Sequence, residues 1–454
     1  NDNGSSYTRL RNAVKYRPFL SPNQNVTDED PLADPNVGNG LVLYNPIDLA
    51  NAEYRRKTTE DFNGSVSLTY TFLKNFSFRS TFGYDHNQYT NRQFSDSITP
   101  LSIIQGARMP IAELDTVFAR TITNSNVLTY TVNNWKGKHD FTVLLGEETY
   151  DYRTESRNDL FKGYPLFTSP NEAFKNTSLG TTFSGYPKLH KTRYTNLSFF
   201  GRINYSYKDR YLFSFNMRAD GASKFAPGNQ WGFFPAGSFA WRAKKENFLK
   251  NVDFISDLKF RAGFGAVGNN RIQDYLYLAT YSNDGTYYYG LNGQPVYGYF
   301  PVSLPNPNLE WEATLNRNLG VDISILKDRV SLSVDVYNNS SKHLLLNVPI
   351  ASTYGYSTQI QNVGKTSNKG VEFQLNTIVI QKPKSNFRYD VNFNISFNRN
   401  KVLALGPNQT SFTTQGWSGV SGQPTDYIIK VGSPVSSMWG LVTDGFYKVD
   451  DFDY

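Results

Sequence analysis

Between Leu197 and Met217 apolar and polar side chains alternate. Leu197, Phe199, Ile203, Tyr205 and Tyr207 share one parity, with Ser198, Arg202, Asn204 and Ser206 on the other. After Lys208-Asp209-Arg210 the pattern resumes with Tyr211, Phe213, Phe215 and Met217 against Ser214, Asn216 and Arg218. Successive side chains of a strand point to opposite sides, so this stretch predicts a hairpin with one apolar and one polar face.

The pattern recurs along the chain. Val66, Leu68, Tyr70 and Phe72 turn at 73–75 into Phe76, Phe78, Phe82 and Tyr84, and Leu128, Tyr130 and Val132 pass through 133–139 to Phe141, Val143 and Leu145. Leu319, Val321, Ile323 and Ile325 turn at 326–329 into Val330, Leu332, Val334 and Val336, and Val371, Phe373 and Leu375 lead through 381–386 to Tyr389, Val391, Phe393, Ile395 and Phe397. Phe239 and Trp241 connect to Leu258, Phe260, Ala262 and Phe264 through 244–257, which reads as a short helix.

Connections within pairs are short and charged, whereas those between pairs, at 85–126, 146–196 and 267–313, are long. Outer-membrane barrels have this asymmetry, with short periplasmic turns and long extracellular loops. The expected fold is therefore all-β, a large antiparallel transmembrane β-barrel whose aromatic face meets lipid and whose polar face lines a lumen. A sheet packed on a soluble core also alternates, so a soluble or surface-attached carbohydrate-binding β protein stands as the alternative. On the membrane reading, Tyr205, Tyr207 and Tyr211 form an interfacial girdle, and Arg202 and Arg218 face the lumen, because charge toward lipid is costly.

Composition supports a β architecture. Aromatics make up 15% of the 454 residues, with 31 Tyr and 33 Phe, while hydrophobics total only 39% and mean hydropathy is -0.50. No run of about 18 apolar residues encodes a transmembrane helix, but a membrane strand needs only about 10 residues with one apolar face. Cysteine is absent, which fits a bacterial envelope protein without disulfides and decides little alone. The net charge of +7 is spread along the chain, without the concentrated basic face that nucleic acid requires. The chain opens at Asn1 with no signal peptide legible.

Enzymatic chemistry finds little support. The G-x-G-x-x-G match at 263–268 lacks the following helix of a dinucleotide site. His86, His139, His190 and His343 are isolated, so no metal or cofactor is expected, although the acidic 449–454 stretch leaves calcium open. Glu147 and Glu148 are adjacent on a strand and point to opposite faces, so they do not form a catalytic pair. The better candidates are loop aromatics within 281–300. Tyr287, Tyr288, Tyr289, Tyr297 and Tyr299 are expected to bind substrate by stacking and hydroxyl hydrogen bonds.

Several long blocks, "FFGRINYSYKDRYLFSFNMRADGASKFAPGNQWGFFPAGSFAWRAKKENFL", "ISDLKFRAGFGAVGNN", "NPNLEWEATLNRNLGVDISILKDRVSLSVDVYNNSSKHLLL" and "NVGKTSNKGVEFQLN", resemble the barrel of SusC/RagA-like TonB-dependent outer-membrane transporters of Bacteroidota, from roughly Phe62 onward. The resemblance implies import of glycan oligosaccharides or peptides driven through TonB, with a SusD-like lipoprotein as partner. Residues 1–61 then form a segment and loop leading into the barrel. Residues 62–454 form its middle portion, and the plug, TonB box and closing strands are expected outside this chain.

Overall fold

The protein is described by a computed structural model covering residues 46–183, 188–282, 288–291, 294–301, 303–351, 353, 355–356, 358–382, 387–407, 409–414, 425–440 and 445. In chain order the first half contains α1 (Pro46–Ala52), β1 (Glu53–Phe72), β2 (Phe76–Ser95), α2 (Pro100–Gln105), β3 (Ile111–Trp135), β4 (His139–Lys162), α3 (Pro170–Lys175), β5 (Thr182–Phe183), β6 (Lys188–Tyr207), β7 (Tyr211–Ala222), β8 (Trp231–Arg242) and β9 (Ile255–Asn269). Four short strands follow, β10 (Tyr281–Ser282), β11 (Tyr288–Leu291), β12 (Gln294–Tyr297) and β13 (Phe300–Pro301). The long strands resume as β14 (Glu312–Ile325), β15 (Val330–Pro349), β16 (Thr358–Lys382) and β17 (Phe387–Ala404), before β18 (Ser411–Thr414), β19 (Tyr427–Lys430) and β20 (Ser437–Met438).

Twelve long strands form one sheet in the order β1-β2-β3-β4-β6-β7-β8-β9-β14-β15-β16-β17, with β5 paired to β4. Every long strand thus lies beside its neighbours in the chain, as the succession of hairpins predicts. The turns are tight. Leu73-Lys74 and Lys208-Asp209 have φ values of 48, 60, 52 and 51°, the left-handed conformation whose twist suits two-residue hairpins.

Two expectations change. Residues 244–257 form no α-helix: the 3-10 turn Ala243–Lys245 is followed by turns and then by the start of β9 at Ile255. The long connections are also shorter than the alternation suggests, because β2, β3, β4 and β6 continue through much of 85–126 and 146–196. β3 is 25 residues long, whereas a membrane-crossing strand needs about 9–11. In these stretches neither face of the strands is continuously apolar, so the alternation fades while the hydrogen-bonded ladder persists. Only 267–313 remains mainly connection, between Asn269 and Glu312. β1 runs across the expected boundary at 61/62, and residues 1–45 lie outside the described residues.

The chain divides into two compact units. The described part of the first comprises residues 46–66, 82–123, 150–183 and 188–194, and has a small core of Phe94, Ala112, Tyr164 and Ala173, with Tyr54, Phe161 and Phe174 packed against it. Two short helices are fixed at their starts here. The Thr99 hydroxyl accepts from the Ser102 amide, and Ser169 and Glu172 form a reciprocal capping box. Tyr164 is fully buried, and burial pushes its hydroxyl up to about 12.

The second unit holds residues 67–81, 124–149 and 195–454, and its two sheet faces differ sharply. On one face the rows Tyr207–Tyr211–Trp241–Phe260–Val321–Val334–Phe373–Ile395 and Tyr205–Phe213–Phe239–Ala262–Leu319–Val336–Val371–Phe397 contain no charged side chain. On the other, Asn204–Ser214–Ser238–Gly263–Asn318–Tyr337–Gly370–Asn398 and Lys259–Asp322–Ser333–Gln374–Asn394 are almost wholly polar. A one-residue slip would exchange the faces, so burial of the apolar face in a nonaqueous phase fixes the register.

Candidate functional site: the two-faced wall and its tethered loop

The apolar face is exposed. Phe199, Ile203, Phe215 and Phe264 each retain about half of their surface, at 48–50%, so among the described residues of this unit nothing covers them as a protein core would. Aromatic rings bound the face at both levels. At the turn end the Tyr207 and Tyr211 rings lie 6.3 Å apart, and Trp241 and Phe260 5.5 Å. A ladder from Phe72 through Phe76 and Tyr130 to Phe141 has centroid spacings of 5.5, 4.6 and 5.8 Å. At the far end Phe199 stacks on Trp231 at 6.1 Å.

The polar tips of the turn-end rings are occupied. Tyr211 Oη donates to Glu246 Oε1 at 2.6 Å, Trp241 Nε1 donates to the same oxygen at 3.2 Å, and Arg210 pairs with Oε2 at 3.0 Å. The Tyr211 hydroxyl foremost, then Trp241 and Arg210, holds the Glu246 carboxyl below the usual carboxylate range. A ring buried in an apolar layer with its heteroatom in a wet one is the arrangement of an interfacial belt. Trp231 and Trp241 are ten residues apart along β8, about 34 Å at the rise of an antiparallel strand. Tilting by about 40° reduces this to about 26 Å, close to the ~25 Å apolar band of outer-membrane barrels.

The polar face carries a built ion network. Arg261 on β9 donates from Nε and Nη2 to the two carboxylate oxygens of Asp322 on β14, both at 2.8 Å, and from Nη1 and Nη2 to Asp335 on β15 at 2.9 and 3.0 Å. Ser333 donates to Asp322 at 2.7 Å. Gly320 lies opposite both Arg261 and Asp335. A Cβ there would sit 2.7 Å from the Arg261 guanidinium carbon, so only glycine leaves the crossing open. Arg202 donates to Asn216, and Arg218 bonds Asp220 at 2.7 Å, Ser198 at 2.9 Å and Glu148 at 3.3 Å. Arg202 and Arg218 therefore lie on the polar face, as the alternation requires.

The connection at 270–311 is anchored at its base. Phe225, Leu309 and Ala222 form a buried cluster with Ile272, Leu276, Trp311, Leu345 and Ile360 around it. Side chains then satisfy backbone groups across the loop. Trp311 Nε1 donates to the Gln230 carbonyl at 2.8 Å, Asn306 to Ile360 at 2.7 Å, Asn229 to Pro307 at 2.9 Å and Gln359 to Pro305 at 2.9 Å. Lys224 donates to the Ile272 carbonyl at 2.9 Å and pairs with Asp274 at 3.5 Å.

Above this base β11 and β12 pair with Tyr288 opposite Tyr297, which brings two of the expected binding tyrosines together in the backbone. Tyr289 faces Val296 in the same ladder. Tyr299 follows β12 and is 70% exposed, whereas Tyr287 lies outside the described residues. Sequence reasoning missed the Arg261 network and the loop anchors. The anchors sit in the blocks around 223–230 and 305–311 that carry the resemblance, yet nothing in their composition says which carbonyls they reach. Among the described residues no group of His, Asp and Glu is placed to hold a metal, and no helix is long and apolar enough to cross a membrane.

A sheet of neighbouring hairpins, apolar and ring-bounded on one face, charged on the other and topped by anchored loops, defines the wall of a β-barrel. Residues 1–451 match the family model described as TonB dependent receptor-like, beta-barrel, and the chain belongs to that family. It is 31% identical over 416 residues to TonB-dependent receptor P3 of Formosa agariphila, covering 91% of this chain and 40% of the relative. To TonB-dependent receptor SusC of Bacteroides thetaiotaomicron it is 28% identical over 426 residues, covering 91% and 39%. The RagAB peptide transporter superposes with a TM-score of 0.72 at 22% identity, covering 87% of this chain and 41% of that one, which shows the shared fold. The chain spans about two fifths of the length of these relatives.

Proposed function

We propose that this chain is barrel wall of an outer-membrane, TonB-dependent importer of bulky nutrients, oligosaccharides or peptides, of the SusC type. The observation that supports this reading most is the second unit's pair of faces. An apolar face bounded by aromatic rings about 26 Å apart suits lipid, and the opposite face suits a hydrated lumen. Family membership supports the energy source, and a peptide is one candidate cargo because the RagAB protein of similar fold is a peptide transporter. On this reading Tyr287, Tyr288, Tyr289, Tyr297 and Tyr299 meet the solute at the extracellular mouth. The partners are a SusD-like surface lipoprotein and the TonB complex.

The test is uptake. Deleting the parent gene abolishes growth on the one class of oligosaccharide or peptide it imports, and full-length protein restores it. Restoration by protein with all five loop tyrosines changed to Ala raises the substrate concentration for half-maximal growth. Unaltered growth of the deletion on every candidate polymer would overturn the import reading. Equal rescue by the five-tyrosine variant would remove the loop from binding. Pull-down from membranes recovers a SusD-like subunit in near-equal amount, and a solitary protein would overturn that partner.

A further inference from the structure

One row of the polar face, Asn318–Tyr337–Gly370–Asn398, carries a tyrosine laid over the sheet. Tyr337 on β15 stands opposite Gly370 on β16, and a Cβ at Gly370 would lie 2.5 Å from the ring carbon Cζ. Glycine therefore leaves room for the ring to lean across the neighbouring strand, one face toward the backbone and the other toward the space that the polar face borders. Tyr337 is half-buried, and among the described residues no second ring lies against it and its hydroxyl has no hydrogen-bond partner.

Carboxamides surround this ring. Asn318 and Asn398 are exposed in the same row, and Asn339, Asn368 and Asn400 form the next one. Asn368 Oδ1 is buried without a hydrogen-bond partner, whereas buried acceptors are ordinarily bonded. Beyond Asn318 the row continues through Gly263, Ser238 and Ser214 to Asn204. These small side chains leave a hollow of about 420 Å³ on the polar side, within the ~300–1,000 Å³ of small-ligand sites. Neither row contains a charged side chain, and Arg261 and Lys259 beside the hollow are engaged by carboxylates.

We propose that this row is a subsite for an uncharged oligosaccharide, one pyranose stacked on Tyr337 with its hydroxyls on Asn318, Asn398 and Asn368, and the chain continuing into the hollow beside Asn318. A pyranose has an apolar C–H face and a rim of hydroxyls that both donate and accept. An open aromatic face bordered by carboxamides, which also donate and accept, matches both features at once. Neighbouring strands are ~4.8 Å apart, close to the length of a sugar unit, so successive sugars lie across successive strands. A sulfated or carboxylated chain, or a peptide with its free carboxylate, finds no cation in these two rows. The inference rests on the reading of the polar face as lumen, and selects one of that reading's two cargo classes.

Isothermal titration of the full-length protein in detergent tests it, with neutral gluco-, manno-, galacto- and xylo-oligosaccharides, their sulfated derivatives and peptides with free termini as probes. A neutral oligosaccharide is expected to bind, and its sulfated derivative and the peptides to lose most of that affinity. Y337A weakens binding about tenfold, whereas Y337F keeps the stacking face and most of the affinity. G370A places a Cβ where the ring lies and weakens binding as Y337A does. If Y337A fails to fold, the exposed N318A and N398A are each expected to weaken binding about fivefold. N392A, an exposed amide of the polar face outside both rows, retains it. Unchanged affinity in Y337A or in the two amide variants, equal loss in N392A, no binding by any neutral probe, or equal binding of the charged probes would each overturn the subsite. Growth dependent on a peptide or a charged glycan would leave the import reading standing and overturn this inference alone.

Discussion

Gly320 and Arg261 provide a double-mutant test of the polar face. Arg261→Ala removes a guanidinium that ties β9 to β14 and β15 through four hydrogen bonds to two carboxylates. Hydrogen bonds to charged groups contribute roughly 1.5–3 kcal/mol each when desolvated. Here 26–32% of each participating side chain is exposed, so solvent screens the pairs and the expected loss is about 2 kcal/mol in all. Gly320→Ala places a Cβ 2.5 Å from Asp335 Oδ1 and 2.7 Å from the guanidinium carbon, which expels Arg261 from its bridge. The general gain of about 0.5–1 kcal/mol for Gly→Ala in a strand offsets part of this loss, leaving a net cost of about 1–1.5 kcal/mol. Without Arg261, Asp335 is free to turn aside, so Gly320→Ala becomes neutral or slightly stabilising. Urea unfolding of the full-length protein in lipid vesicles, followed by tryptophan fluorescence, gives the four free energies. Coupling of about 1.5–2 kcal/mol is expected, and additivity within about 0.5 kcal/mol would refute the shared network.

Phe225→Ala empties a fully buried site under the anchored loop; a cost of about 3 kcal/mol and faster proteolysis within 270–311 are expected, and unchanged cleavage would show that the cluster does not hold the loop. At the β6–β7 turn, Lys245 foremost and Arg242 hold the Asp209 carboxyl below its usual 3.8. A lowered carboxylate pKa gives stability that is full above 3.8 and is lost as pH falls through the folded-state value. Asp209→Asn therefore removes part of the acid-side slope in pH-dependent unfolding, and an unchanged slope would contradict the pairing. On the proposed topology, protease added to intact cells cuts within 96–110 or 270–311 and spares Lys208, and cleavage at Lys208 in sealed cells would reverse it.

The hairpins were legible because their central residues sit between two different media. Phe213, Phe215 and Met217 alternate with Ser214, Asn216 and Arg218, and β6 and β7 pair through 196–222 as that alternation implies. The same reasoning fails at 85–95 and 146–162, where β2 and β4 continue as strands without a one-sided apolar pattern. There the ladder is held by backbone bonds, which leave no period in the side chains. Residues 244–257 misled for a related reason. Phe248 and Phe254 are 69% and 57% exposed at the turn end, where aromatics suit an interface rather than a helix core. The Arg261 network was out of reach because its members, at 261, 322 and 335, meet only once the register of three strands is known. The tyrosines of 281–300 were legible as a composition, and the structure adds the backbone pairing of Tyr288 with Tyr297.

The central claim is that the apolar face of the second unit touches lipid and the opposite face touches water. Phe215 is 48% exposed between Ile203 and Gly237, while neighbouring Asn216 accepts a hydrogen bond from Arg202 on the polar face. Nitroxide labels at 215 and at 216 in the full-length protein, reconstituted in vesicles, report collisions with oxygen and with a water-soluble nickel reagent. High oxygen and low nickel access at 215, with the reverse at 216, is the result the account predicts. Low access to both reagents at 215 would mean that a protein core covers this face, and would contradict it.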